Sequence, residues 1–502
     1  MRKIPCTMAT QHPDNATGSP FTGQRFVSTK EEIDECVKCF SELGVEEYMW
    51  DWEGKFVDEA VIDRLLQENY EYFAENQLGK DKFLTFRIPN IWEEKTGEHR
   101  LQRAFMNAIS AKSAAQNYGL YTPPIFEMIL PMTTSADQLI YLQKTFRKTS
   151  EAMKSIYKRN EGLDEIEFIP LLEEIETMAD PTLISKYVDY LEEIGRNPKY
   201  LRIFIARSDP AMNAGLIPTI LAVKSLLNNY HEFGKSRGIS IYPWVGGGSL
   251  PFRGGVNPEN IDEIIEEYKG TMSFSIQSAF RNDYPLDQVK AGIKKLNQEL
   301  PQNLDKYERI SDKDLAKIRE FNKKSAKIWR STVEPLAPFI NEIASKLPSH
   351  RERVQHIGLF GYARGVGKVT LPRAIKFTGS LYSLGIPPEF ISTGRVLKLA
   401  KKMDMLDLIE KLYINLRGDM LHAGKYFNRE NLELLSRENS EFEVIKEDIK
   451  EIEEYLDEKL EPREPRHFLH RNYSSNIYYL RKSGKDFSRD LLEAAKFRKS
   501  LG

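Results

Sequence analysis

The chain has 502 residues, 41% of them hydrophobic and 29% charged, with a formal net charge of -2. That is material for a large core, and the near-neutral balance gives no support for a nucleic-acid or membrane partner. No apolar run is long enough to span a bilayer, and the start, MRKIPCTMATQHPD, lacks the apolar core of a signal peptide, so a cytoplasmic protein is expected.

In chain order, KIPCTMATQ (3–11) is the first candidate strand. Ser28-x-x-Glu31 then makes a capping-box pattern ahead of the amphipathic EEIDECVKCFSEL. Its Cys36-x-x-Cys39 lacks the second ligand pair, or the strand–turn context, that zinc or redox chemistry needs. Both cysteines are therefore expected as half-buried helix residues in a reducing compartment. Bulky apolar runs follow: EYMWDW (47–52), FLTFRIP (83–89), PIFEMILP (124–131), EFIPLLE (167–173), YLRIFIARSD (200–209), SIYPWVGG (240–247), MSFSIQSAF (272–280) and HIGLFGYAR (356–364). They are β-rich without strict polar alternation, the pattern of strands buried on both faces of a parallel sheet. Periodic helices separate them. Ser135–Lys148 is one and Asn257–Tyr268 another, the latter with Asn257 as cap and Pro258 in the first helical position.

Repeated strand–helix units predict an α/β fold, a (β/α)8 barrel of the TIM type with many additional helices. Nine candidates compete for eight places, so one run is surplus. From about Thr370 the strand signal disappears. Residues 389–460 read as helices, EPREPRHF (461–468) interrupts them, and SRDLLEAAKFRKSLG returns to helix. The expected division is a barrel catalytic domain over 1–370 and a helical region over 371–502 packed on it.

A barrel enzyme works from the C-terminal ends of its strands. Those ends carry Asp51, Glu53 and Lys55, then Arg87, Glu173 and Glu174, Arg207 and Asp209, Arg281 and Arg364. The loop WVGGGSLPFRGG (244–255) adds five glycines around Arg253. No Gly-Lys-Ser/Thr follows those glycines, which excludes a P-loop; the loop is either a surface turn or a wrap for an anion that Arg253 grips. Carboxylates on neighbouring strands beside several arginines suit Mg2+ or Mn2+ and a phosphate-bearing substrate. Each residue also has a plainer reading. Asp209 before Pro210 could cap a helix, Arg281 and Arg364 could pair with core-edge carboxylates, and His12 could be a loop residue bonded to backbone.

The order of these motifs resembles that of the short, archaeal-type phosphoenolpyruvate carboxylases over nearly the whole chain. TQHPDN (10–15) resembles the T-A-H-P-T-E segment of the long forms and implies a catalytic role for His12. PLLEEIE (170–176) resembles P-L-F-E-T-x-D, and RSDPAMNAG (207–215) resembles Y-S-D-S-x-K-D-A-G; together they imply metal ligation by Glu173 and Asp209. GGGSLPFRGG (246–255) resembles the R-G-G-S-I-G-R-G-G loop that closes over substrate. That match implies catalysis by Arg253 and substrate contacts from Gly246, Gly247, Gly248 and Gly254. PRAIKF (372–377) resembles R-A-I-P-W and implies a phosphate contact for Arg373, with Arg87, Arg281 and Arg364 as further substrate-binding residues.

The chain departs from the long forms at Met212, where they have lysine, at Val245, where they have histidine, and near Gly247, where they have an arginine. It ends in SLG where they have Asn-Thr-Gly. The resemblance implies a carbon–carbon lyase, converting phosphoenolpyruvate and bicarbonate to oxaloacetate and phosphate through carboxyphosphate and a metal-bound enolate. It also implies Mg2+ or Mn2+, a homotetramer and allosteric control. Two alternatives stand beside it: another metal-dependent barrel lyase acting on phosphoenolpyruvate or a 2-oxo acid, and an inactive regulatory barrel.

Overall fold

The structure, a computed structural model, describes residues 2–55, 57–120, 122–157, 163–351 and 369–502. Eight of the apolar runs become β1 (Thr7–Ala9), β2 (Glu47–Asp51), β3 (Phe83–Arg87), β4 (Glu127–Leu130), β5 (Glu167–Leu172), β6 (Tyr200–Ala206), β7 (Ser240–Gly246) and β8 (Ser273–Ile276). They form a closed parallel barrel in sequence order. Closure is made by β1 on β8, with Thr7 opposite Phe274 and Ala9 opposite Ile276. KIPCTMATQ therefore supplies a true strand. HIGLFGYAR lies outside the described residues, and the barrel closes without it.

The strands lack alternation because both of their faces are covered. Inside, Met8, Met49, Ile129, Ile169, Leu171, Phe204, Ala206 and Trp244 pack as one buried cluster. Phe204 and Trp244 stack with ring centroids 3.5 Å apart. The N-terminal mouth is sealed by charge. Arg202 bonds Glu47 at 2.7 Å and Glu127 at 2.7 Å, with Thr85 and Arg2 closing on the same carboxylates. That network serves stability, and the opposite mouth is left for chemistry.

Helices such as Gly97–Asn117, Thr182–Glu193 and Leu216–Arg237 join the strands. After β8 every described element is helical, including the 35-residue Asp312–Lys346. Trp329 from that helix stacks on Phe252 at 5.5 Å, and Phe377 from Ala374–Ser383 joins them. The final residues return to the barrel, where Leu501 N donates to the Asp14 carbonyl at 2.6 Å. No described helix is long and apolar enough to cross a membrane.

Local expectations fare unevenly. The Ser28–Glu31 capping box forms, with Ser28 N donating to Glu31 Oε2 at 2.9 Å and Glu31 N to Ser28 Oγ at 3.4 Å. Cys36 and Cys39 are fully buried rather than half-buried, and burial pushes the Cys39 thiol up to about 12. Asn257 caps no α-helix, because that helix starts only at Ile261. Its side chain instead donates to Ser249 O at 3.0 Å and Gly255 O at 3.2 Å, tying down the glycine loop.

Candidate active site

The C-terminal ends of the strands surround a cavity of about 390 Å3. Nine residues singled out in the sequence line it: His12, Glu53, Arg87, Glu173, Arg207, Asp209, Gly246, Arg253 and Arg373. Arg281 stays out. It is buried beside the barrel wall, bonding Glu35 at 2.7 Å and the carbonyls of Thr10 and Ile276, which is its plainer reading. Arg364 lies outside the described residues.

Glu173 follows the last residue of β5, and Asp209 lies in the first turn of the helix Ser208–Ala214 that follows β6. The two strands are neighbours, with Leu172 opposite Ile205, so both carboxylates arise from one side of the mouth. Arg207, not Asp209, takes the cap position of that helix. Both carboxylates are partly exposed to the cavity rather than sunk in the core. Among the described residues no group of three or more His, Cys, Asp and Glu side chains is gathered for a metal. A pair of carboxylates suits a hard cation that takes its other oxygens from water and substrate, as Mg2+ does.

Across the mouth, Arg87 makes a two-pronged pair with Asp51, at 2.8 and 2.6 Å, and reaches Glu53 at 3.0 Å. Burial works against its charge, but Asp51 and Glu53 outweigh burial and hold the guanidinium firmly protonated. Arg373 approaches Glu53 at 3.5 Å and remains one-third exposed, so it keeps more charge available to a ligand than Arg87 does.

The glycine loop is no surface turn. Every residue from Gly247 to Asn257 is buried, and Pro251–Arg253 winds into a single 3-10 turn. Gly248 N donates to Arg253 O at 2.8 Å, and Val256 N to Gly248 O at 2.9 Å. The Arg253 side chain is 2% exposed and has four of its five N–H groups bonded within the chain. Nε donates to Ser208 Oγ at 3.3 Å, Nη1 to Asp14 Oδ2 at 3.0 Å and to the Gly502 carbonyl, and Nη2 to Gln277 Oε1 at 2.6 Å. Two glycines make this possible by what they lack. A Cβ on Gly248 would sit 2.6 Å from the guanidinium carbon of Arg253. Gly254 holds φ at +120°, where side chains rarely go.

The loop is also fastened from the helical region. Phe252 N donates to Glu389 Oε1 at 2.8 Å, and Tyr382 OH donates to the same oxygen at 2.6 Å. Glu389 Oε2 has no partner among the described residues, so no donor there stabilises a negative charge on it. Burial raises the Glu389 carboxyl to about 7. Between the unfolded value of 4.5 and about 7 the folded chain holds a proton that the unfolded chain has lost, so stability falls as pH rises through that window. Glu389→Gln is expected to keep the loop and flatten that slope, measured as melting temperature at steps across the window. Asp283 and Asp419 are raised in the same direction, so the slope lessens rather than vanishes. A slope as steep as wild type would show that Glu389 is ionised in the fold.

His12 sits on the first strand–helix connection, with Nδ1 2.9 Å from Thr10 Oγ1. Ser278 Oγ donates to the His12 carbonyl at 2.5 Å and lies 3.0 Å from Asp14 Oδ1, so the start of the helix after β8 holds this segment in place. Asp14 and Gln277, two of the partners of Arg253, are not marked as site residues by the sequence motifs. Asp14 lies inside the quoted TQHPDN, whereas Gln277 carries no signal beyond following a strand.

Known proteins resemble the chain along nearly its whole length. A family model described as phosphoenolpyruvate carboxylase matches residues 4–502. A phosphoenolpyruvate carboxylase of Leuconostoc mesenteroides is 41% identical, over 89% of each chain. Those of Picrophilus torridus and Metallosphaera sedula are each 37% identical, covering 99% and 100% of both chains. With a barrel mouth that gathers carboxylates, arginines and a histidine, and with matches along its full length, the chain belongs to the phosphoenolpyruvate carboxylase family.

Proposed function

We propose that this cavity joins phosphoenolpyruvate to hydrogencarbonate, giving oxaloacetate and phosphate. The observation that carries the reading is the convergence of Glu173 and Asp209 with Arg253, Arg373 and His12 on one cavity. Glu173 and Asp209 would hold the cation, Mg2+ or Mn2+, which supplies Lewis-acid stabilisation of negative charge on an oxygen when bound. Arg253 and Arg373 hold the phosphoryl oxygens, with Arg87 behind them. A hydrogencarbonate oxygen attacks phosphorus, and the bond to the enol oxygen breaks, leaving carboxyphosphate and the enolate of pyruvate. His12 takes the carboxyl proton of carboxyphosphate, whose C–O bond then breaks to CO2 and phosphate. The enolate carbon attacks CO2. The buried glycine loop keeps water from the enolate, because protonation there gives only pyruvate.

The resemblance further supports a homotetramer under allosteric control, composition supports a cytoplasmic protein, and the loss of strand signal supports a barrel domain to about residue 370. Phosphate release that depends on bicarbonate separates this reaction from that of another barrel lyase, and any turnover separates it from an inactive barrel.

His12→Asn tests the order of steps. Metal ligands and arginines serve the first attack, and His12 serves the second stage. The variant is expected to release pyruvate and phosphate in place of oxaloacetate, still dependent on bicarbonate. The measurement is the pyruvate-to-oxaloacetate ratio with and without bicarbonate. An unchanged oxaloacetate yield would return His12 to a loop residue.

A further inference from the structure

Arg207 directly follows β6 and lines the cavity, yet it is 1% exposed. Its Nε donates to Tyr268 OH at 2.6 Å, and its backbone N–H to the Gly246 carbonyl at 3.1 Å. Among the described residues its buried Nη1 has no hydrogen-bond partner, and the side chain makes no ion pair. The other buried arginines around the barrel differ. Arg87, Arg202, Arg253, Arg281 and Arg351 each lie against a carboxylate.

A buried cation without an anion is unfavourable, because desolvation is not returned by attraction. Tyr268 does not supply the missing charge, since burial pushes its phenol up to about 12 and leaves it protonated. Asp419 is turned to Tyr413, whose hydroxyl bonds it at 2.5 Å. Position is fixed as well. A Cβ on Gly254 would lie 3.4 Å from the Arg207 Cβ, so the glycine loop packs along the arginine stem. One turn further on, Met212 is wholly buried in the core and brings no charge to the site where the long forms carry lysine.

We infer that Arg207 is a further substrate-binding residue, whose guanidinium holds a planar oxyanion in the cavity: the carboxylate of phosphoenolpyruvate or hydrogencarbonate. This rests on the cavity's being the substrate site proposed above, where Arg253 and Arg373 take the phosphoryl group. Arg207 then offers a planar anion a cation distinct from the two on the phosphoryl group.

The test uses the full chain with Arg207→Met and Arg207→Lys. In Arg207→Met the KM for one substrate is expected to rise at least about tenfold, as for loss of a charged hydrogen bond. Arg207→Lys keeps the charge and is expected to recover part of that loss. A rise for phosphoenolpyruvate assigns the group to its carboxylate; a rise for hydrogencarbonate assigns it to the second substrate. Melting curves without metal give a readout that needs no turnover, with phosphoenolpyruvate and hydrogencarbonate as the probes. The stabilisation by one of them seen in wild type is expected to disappear in Arg207→Met, while the ligand-free variant melts no lower than wild type. Rises below tenfold for both substrates, with wild-type stabilisation by both probes, would overturn the role of Arg207 alone. If Arg207→Met fails to fold, Arg207→Lys decides by the same two readouts. A wild-type protein stabilised by neither probe would overturn the cavity assignment together with this inference.

Discussion

Asp209→Asn is expected to lower oxaloacetate formation at least about a thousandfold, roughly 4 kcal/mol of transition-state stabilisation, with the fold intact. Glu173→Gln should do the same. Each removes one negative oxygen donor from a pair that stands at the ends of adjacent strands β5 and β6. With only two carboxylates proposed for the cation, losing either removes half of the charge that retains it. Stability should hardly change, because both side chains are partly exposed at the mouth and neither belongs to the interior cluster around Phe204 and Trp244. The measurements are turnover as a function of Mg2+ or Mn2+ concentration and a melting curve for each variant. Near-normal turnover at limiting cation would remove that carboxylate from the metal site. Turnover restored at high cation concentration would instead point to weakened binding by an otherwise competent centre.

The strands were legible because their rule is local: a run covered on both faces needs no polar alternation, and EYMWDW or FLTFRIP shows that directly. Choosing between KIPCTMATQ and HIGLFGYAR was not, since closure depends on β1 meeting β8 across more than half the chain. Asn257 misled for a related reason. Asn-Pro looks like a helix start, but here the asparagine is drawn to the carbonyls of Ser249 and Gly255 by the folded loop. His12, Glu173, Asp209 and Arg253 could be gathered from sequence because a barrel brings its strand ends together whatever their spacing. Arg281 failed on the same rule. It follows β8 by only a few residues, yet the turn of the helix Ser278–Asn282 carries it to Glu35. That Arg207 has no anionic partner among the described residues is unreadable in principle, because it depends on where distant segments place their carboxylates.

The glycine loop shows the largest gap between sequence and structure, and it yields the other large prediction. Read as a sequence, five glycines suggest freedom to move; in the fold they make room. Gly248→Ala would place a methyl carbon 2.6 Å from both Cζ and Nη1 of Arg253. A guanidinium at the end of a flexible side chain could ordinarily swing aside. This one is held by Ser208, Asp14, Gln277 and the Gly502 carbonyl, so yielding to the methyl means breaking bonds to several of them. Arg253→Lys attacks the same array from the other side, since a lysine ammonium cannot span a planar fork's acceptors at once. Both variants are therefore expected to lose turnover by about a hundredfold or more, the scale of losing a transition-state donor. Gly254→Val, which puts a β-branched residue at φ +120°, should fall with them. The comparison that matters is Gly248→Ala against Arg253→Lys, with kcat, KM for phosphoenolpyruvate and melting temperature measured for each. Parallel losses in kcat at unchanged melting temperature would mean that the glycine exists to seat the arginine. A Gly248→Ala enzyme with wild-type kcat, beside a crippled Arg253→Lys, would mean that the guanidinium works from a position other than the one it occupies here, and that the buried loop is one state of a moving part.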